Sequence, residues 1–215
     1  MNQTEKRCYG GQEFRAVTED ESEKIIEGHA AVFGEKTDIC GCFYEVIDRG
    51  AFDETSLRDV PLFFNHDAEQ IPLARSRRNN GTSTMTLTVD DVGLAIRAKL
   101  DVDNNPMAKT LWAAVKRGDV AGISFTFRVA YEEWQDLDSE MPTRRIKKFS
   151  RIYEVSACNF PAYPQTDISA RAESTLESAK KALDKAKVQS SEDDKAKELE
   201  LYKLKNRILG GNYHE

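Results

Sequence analysis

Between Thr82 and Leu100 the chain alternates twice across one turn. Met85, Leu87 and Val89 share a face with threonines opposite, Asp91-Val92-Gly93 turns the chain, and Leu94, Ile96, Ala98 and Leu100 then face one way. Successive side chains of a strand point to opposite faces, so two such runs across a short turn make a hairpin with one buried face. The same logic predicts strands over Ile25-Ile26 with His29 to Phe33, Phe43 to Ile47, Val60 to Phe64, Ile123 to Ala130 and Ile146 to Cys158. Ala51 to Leu57, after Gly50, reads as a short helix. Asn105 to Lys116 reads as a longer one, capped by Asn104 or Asn105, with Pro106 in its first turn and Gly118 at its end. The charged stretch Glu132 to Thr143, with Pro142, reads as a long surface hairpin loop. These elements make a β-rich α+β domain.

The pattern ends near Arg171. Beyond it Ala, Lys, Glu, Asp, Ser and Leu dominate, without Pro, and without Gly until Gly210-Gly211. Leu176, Ala179, Leu183 and Ala186 keep a helical spacing that fails at Ser190 and Asp193 and resumes with Leu201, Leu204 and Ile208. Ser191 with Asp194 resembles a capping box. The tail thus reads as two helical pieces, either a solvated amphipathic segment or a docking segment. The chain of 215 residues has net charge −6. An acidic chain gains nothing from phosphate backbones, which excludes nucleic acid as an expected partner. No apolar run approaches the roughly 20 residues needed to span a bilayer, so no membrane role is expected. Residues 1–11 are polar, lack a signal-peptide core and read as a flexible N-terminus. A reducing cytoplasm is therefore expected, with Cys8, Cys40, Cys42 and Cys158 as thiols.

Three segments place one reactive side chain each inside an apolar run: Phe63-Phe64-Asn65-His66-Asp67, Gly122-Ile123-Ser124-Phe125-Thr126-Phe127 and Tyr153-Glu154-Val155-Ser156. They offer a base, a nucleophile and an acid able to orient the base, which is the minimum for serine acyl transfer. In the strand of the second segment Ile123, Phe125, Phe127 and Val129 share one face, so Ser124, Thr126 and Arg128 face the other, where Ser124 could meet a cleft. His66 ends an apolar strand, where a scaffold presents chemistry. His29 reads as structural and His214 lies in the tail. Glu154 could hold the tautomer of His66 or be an exposed edge-strand carboxylate; Asp67, Asp119 and Asp167 compete for the role. Each of these residues has a bland structural reading beside the functional one. Cys40-Gly41-Cys42 with Cys8, Cys158 or His29 could hold zinc, but a one-residue spacing is weaker than that of structural zinc motifs. The basic clusters Arg75 to Arg78 and Arg144 to Lys148 read as turn and strand-edge charges. No phosphate loop, dinucleotide fingerprint or metalloprotease helix motif is present.

With Gly28-His29-Ala30-Ala31-Val32-Phe33 and Val46-Ile47-Asp48-Arg49-Gly50-Ala51-Phe52, the three segments resemble the prohead protease family of tailed bacteriophages with HK97-like capsids. The resemblance runs over residues 12–170 and leaves the tail, 171–215, unmatched. It implies a fold related to herpesvirus assembly proteases, a small β-barrel with surrounding helices, followed here by the helical tail. It implies a serine endopeptidase that trims capsid and scaffold proteins, and itself, in prohead maturation. His66 and Ser124 match the family histidine and serine, and Glu154 falls where the third member is expected. The sequence does not identify the oxyanion hole; backbone N–H groups around Asn159 to Tyr163 could supply it. No cofactor and no metal are implied. The partners implied are the major capsid protein with its scaffold segment and portal-containing proheads in the host cytoplasm; a homodimer would suit delayed activation. The tail would carry the enzyme into the prohead and then be removed. The rivals are a non-catalytic scaffolding protein acting through the tail, a protease–scaffold fusion, and a cysteine-based metal-binding module.

Overall fold

The computed structural model describes residues 4–9, 12–18, 23–39, 41–159 and 170–210. In chain order its elements are β1 (Glu5–Tyr9), β2 (Gln12–Thr18), β3 (Lys24–Val32), β4 (Thr37–Ile39), β5 (Phe43–Ile47), β6 (Pro61–Phe64), β7 (Ala74–Arg75), β8 (Met85–Val89), β9 (Gly93–Leu100), α1 (Pro106–Arg117), β10 (Gly122–Gln135), β11 (Thr143–Cys158) and α2 (Ala170–Gly210). The hairpin expected around Asp91 forms as β8 and β9, with Leu87 opposite Ile96 and Val89 opposite Leu94. It extends into a four-stranded sheet of order β2-β3-β9-β8.

The second sheet has seven strands, in the order β1-β10-β11-β5-β4, with β6 pairing β11 and β7 pairing β6. The long antiparallel pair β10–β11 is its axis, bent by register shifts between Thr126 and Glu132. At one end β11 takes β5 beside it in parallel; at the other it takes β6. Core residues of both sheets form one buried cluster. Phe52 stacks on Phe149 with centroids 4.6 Å apart, and Phe127 meets Phe149 edge-on at 5.0 Å. Helix α1 follows its sequence signals: Asn105 accepts from the N–H groups of Met107 and Ala108, Pro106 opens the first turn, and Gly118 closes the helix at φ 81°. Its buried face is Ala108, Leu111 and Val115.

Several expectations change. No single closed barrel forms among the described residues: the two sheets meet at one isolated bridge, Phe33 with Ile47, and β1, β4, β2 and β8 remain unjoined to one another. Residues 1–11 include β1, which pairs antiparallel with β10. Ala51 to Leu57 forms turns rather than a helix, because the segment is held by single contacts, such as the Thr55 hydroxyl on the Phe149 carbonyl at 2.9 Å. Strand pairing takes the two ends of the expected loop Glu132 to Thr143, with Glu132 opposite Ile146 and Gln135 opposite Thr143, and leaves 136–142 as the hairpin loop. Nothing in the tail breaks a helix, so α2 is one element of 41 residues. Without Pro or Gly before Gly210, the polar residues Ser191 to Asp193 simply face solvent. Among the described side chains of α2, Leu183 packs against Ile39 and Phe43, while Val188, Leu199, Leu201, Tyr202 and Leu204 are exposed.

A basic residue expected at a strand edge is instead buried. Arg144 of β11 is 2% exposed and donates to Glu5 at 2.6 and 2.8 Å, to Glu45 at 3.0 Å and to Glu132 at 2.9 Å. Arg7 of β1 joins them, donating to Glu45 at 3.0 Å and to Glu5 at 2.7 Å. Burial pushes the Glu5 carboxyl up, but bonding to Arg144 and Arg7 wins and holds it below its ordinary value. Burial also works against charge on Arg144, yet Glu5, Glu45 and Glu132 raise its pKa well above the usual one. The cluster ties β1, β5, β10 and β11 together.

Where β9 begins its pairing with the end of β3, Gly93 lets two backbones touch: a Cβ there would lie 1.9 Å from the Ala31 carbonyl oxygen. Gly93→Ala is therefore expected to destabilise the fold by about 2 kcal/mol or more, read as a lower midpoint in urea unfolding.

Candidate active site

The site is built where β6 runs beside the end of β11. Leu62, Phe63 and Phe64 lie opposite Val155, Ser156 and Ala157, and the Asn65 N–H extends the pairing to the Ala157 carbonyl at 2.9 Å. The chain then leaves the sheet abruptly. Asn65 and His66 take φ of 50° and 60°, a left-handed conformation that Asn and His tolerate better than most residues. This bend carries His66 over β11, where its N–H donates to the Ser156 hydroxyl at 3.2 Å.

The His66 ring meets Glu154. Nδ1 lies 2.6 Å from Oε1. A carboxylate only accepts, so this contact places the ring proton on Nδ1 and leaves the Nε2 lone pair available to take a proton. Glu154 is itself fixed, since Ser156 donates to Oε2 at 2.6 Å and the Thr126 hydroxyl donates to Oε1. Burial alone would raise the Glu154 carboxyl, but the hydrogen bond and charge of His66, with the Ser156 and Thr126 hydroxyls, outweigh it and hold the pKa below the ordinary value. Glu154 is thus no exposed edge carboxylate, and among the described acids weighed it is the one bonded to His66. Asp67 caps its own turn through the Glu69 N–H at 3.2 Å, and Asp119 accepts from Arg117 at 2.9 Å. Asp167 lies outside the described residues. His29 pairs with Asp90 at 2.9 Å.

Ser124 lies on the same face. The β10–β11 register sets Ser124 opposite Ser156 and Thr126 opposite Glu154, so the serine is one strand spacing from the residues that carry His66. It does not face an open cleft. β1 runs along its other side, with Cys8 opposite Ser124, and the Ser124 hydroxyl donates to the Arg7 carbonyl at 2.7 Å. Ser124 is 1% exposed, and among the described residues no hydrogen bond joins it to His66. The group beside His66 Nε2 is the Cys158 thiol, with Sγ at 3.8 Å.

Sequence reasoning missed Thr126, Ser156 and Cys158 as neighbours of the site. Their signal was available: they occupy the same-face positions of the two strands that carry Ser124 and Glu154. Nothing in the sequence pointed to Arg7. Of the expected oxyanion loop only Asn159 is described, and its N–H donates to Asn65 Oδ1 at 3.3 Å. Among the described residues no group of three potential ligands gathers as a metal site; Cys40 and the Cys8 side chain lie outside them. The basic cluster at Arg75 is turned outward, where Arg75 pairs with Asp59 at 2.7 Å.

A carboxyl whose pKa is lower folded than unfolded stabilises the fold above its unfolded pKa. That stability is lost as pH falls through the folded value. Glu154 is such a group. Relative to Glu154→Gln, the parent is expected to be more stable at neutral pH, and the difference to shrink on acidification through and below the ordinary carboxylate range. Urea unfolding of both proteins across that range checks the sign.

A family model described as caudovirus prohead serine protease matches residues 12–181. The prohead protease of Enterobacteria phage HK97 is 34% identical over 157 residues, which are 71% of this chain and 62% of that protein. The chain thus spans less than two thirds of the length of that relative. Among solved structures, the capsid assembly protease of bacteriophage T4 aligns over 73% of this chain and 96% of its own with a TM-score of 0.43 and 13% identity. With its family model matched across most of its length, the chain belongs to the caudovirus prohead serine protease family.

Proposed function

We propose that the chain is a serine endopeptidase that cuts capsid and scaffold proteins, and itself, during prohead maturation. Residues 12–170 form the protease domain, and residues 171–215 the segment that takes it into the assembling prohead and is then removed. The observation that carries the reading is the buried Glu154–His66 pair at 2.6 Å on the face of β10 and β11 that also holds Ser124. His66 Nε2 takes the proton of Ser124 as Oγ bonds to the scissile carbonyl carbon. The resulting imidazolium is stabilised by Glu154 and gives its proton to the leaving amine as the C–N bond breaks. Water, deprotonated by the same nitrogen, then hydrolyses the ester. Ser124 must first turn about χ1 away from the Arg7 carbonyl. The substrates are the major capsid protein and its scaffold segment, met inside portal-containing proheads in the host cytoplasm. No cofactor takes part.

The position of Cys158 favours a second reading, in which a thiol at 3.8 Å from His66 Nε2 is the nucleophile. The family supports the serine. A scaffolding role for α2 remains compatible with either, and its exposed Leu199, Leu201, Tyr202 and Leu204 are the residues that would serve it.

Co-expression with the capsid protein of the same phage, read by intact mass, tests these readings. The parent and Cys158→Ala are expected to shorten the capsid protein, while Ser124→Ala leaves it whole. The opposite pattern would establish the thiol, and processing by none of the three in assembled heads would favour scaffolding. Glu154→Gln is expected to slow cleavage on the order of 10³- to 10⁴-fold, since it removes the charge that holds the tautomer and stabilises the imidazolium.

A further inference from the structure

Strand β1 covers the edge of β10 that carries Ser124. It pairs antiparallel with β10 from Glu5 opposite Phe127 to Tyr9 opposite Ile123. A peptide added to a sheet edge makes main-chain bonds and places alternate side chains in pockets. Of the main-chain carbonyls on β1, that of Arg7 accepts the Ser124 hydroxyl at 2.7 Å, so a peptide in the register of β1 brings the bond after its Arg7 equivalent next to Ser124. The Arg7 side chain goes to the other face, against Glu45, which is fully buried, and over the Phe127 ring at 5.9 Å.

The charges around it show what the site accepts. With β1 in place, Arg7 and Arg144 face Glu5, Glu45 and Glu132. Lifting β1 away removes Glu5 and Arg7 and leaves one cation, Arg144, between two buried or half-buried carboxylates. Glu45 would keep Arg144 on Oε2 at 3.0 Å but lose the donor that Arg7 gives to Oε1, and a lost donor to a buried carboxylate is costly. A peptide that replaces β1 with Arg or Lys at the position of Arg7 returns that donor to Glu45 Oε1.

Resting on the serine-protease reading, we propose that the β10 edge is the peptide-binding edge, that β1 is its internal occupant, and that Glu45 selects a basic residue immediately before the cut bond. β1 blocks Ser124 twice, by covering it and by holding its hydroxyl away from His66. The substrate is an extended segment with Arg or Lys at the position of Arg7, and it gains the site by displacing β1.

The full-length chain tests this through the rate at which a fluorophosphonate probe labels Ser124, located by peptide mass spectrometry. Arg7→Glu sets a third carboxylate against Glu5 and Glu45 and should release β1. Labelling is expected to rise tenfold or more, while Lys6→Glu, the same charge change at an exposed β1 position, leaves it unchanged. Adding the peptide Thr-Glu-Lys-Arg-Cys-Tyr, the sequence of residues 4–9, to Arg7→Glu should slow labelling again. The same peptide with Glu in place of Arg should not. Hydrogen exchange in β10 and β11 reports whether Arg7→Glu keeps its fold; if it does not, Arg7→Met is read in the same way. Equal labelling of parent and variant, or no protection by the peptide, overturns the proposal. If that happens while the parent still cuts capsid protein, the protease reading stands. If no chain labels at Ser124 and none cuts capsid protein, both fall.

Discussion

The antiparallel register of β10 on β11 is the constraint from which the rest of the site follows. Thr126 opposite Glu154 and Ser124 opposite Ser156 put two hydroxyls and a carboxylate on one face, while Phe125 and Val155 go to the core. A slip of one residue would send Ser124 and Glu154 into the core and the aromatic residues out. The aromatic packing of Phe125, Phe127, Phe149 and Phe52 therefore protects the chemistry as well as the fold. It penalises every register but one.

Both faces of this pair are buried near the site, which is unusual for a strand bearing polar side chains. The polar residues are accommodated because each finds a partner. Glu154 takes bonds from His66, Ser156 and Thr126, and Ser124 gives its own to a β1 carbonyl. The same accounting governs Arg144, which sits in the interior because three carboxylates surround it. Buried ion clusters are weak contributors to net stability, but removing one member leaves a bare charge. That asymmetry makes β1 hard to lose by accident and able to yield to a segment carrying the same charges.

Much of the fold was legible locally. The β8–β9 hairpin and α1 carry their own turn and cap signals, and both formed near the expected bounds, with β8 starting at Met85 rather than Thr82. Where polar residues were taken to mean solvent, the reading failed. Glu132 to Gln135 and Arg144 looked like loop and edge, yet they are strand, because their charges cancel against one another across the sheet. The site divides in the same way. Period-two spacing placed Ser124 and Glu154 on a polar face, but whether that face opened to solvent depended on β1, more than 100 residues away in the chain.

The sequence alone determined which residue types could do chemistry, the faces they share, and the break between a β-rich domain and a helical tail, because these depend on neighbours within a strand or a turn. The tertiary structure decided which acid meets His66, that Ser124 is covered, and that two arginines lie buried. Those outcomes turn on contacts between segments far apart in the chain, where pairing of buried charge and exclusion of water outweigh local preference.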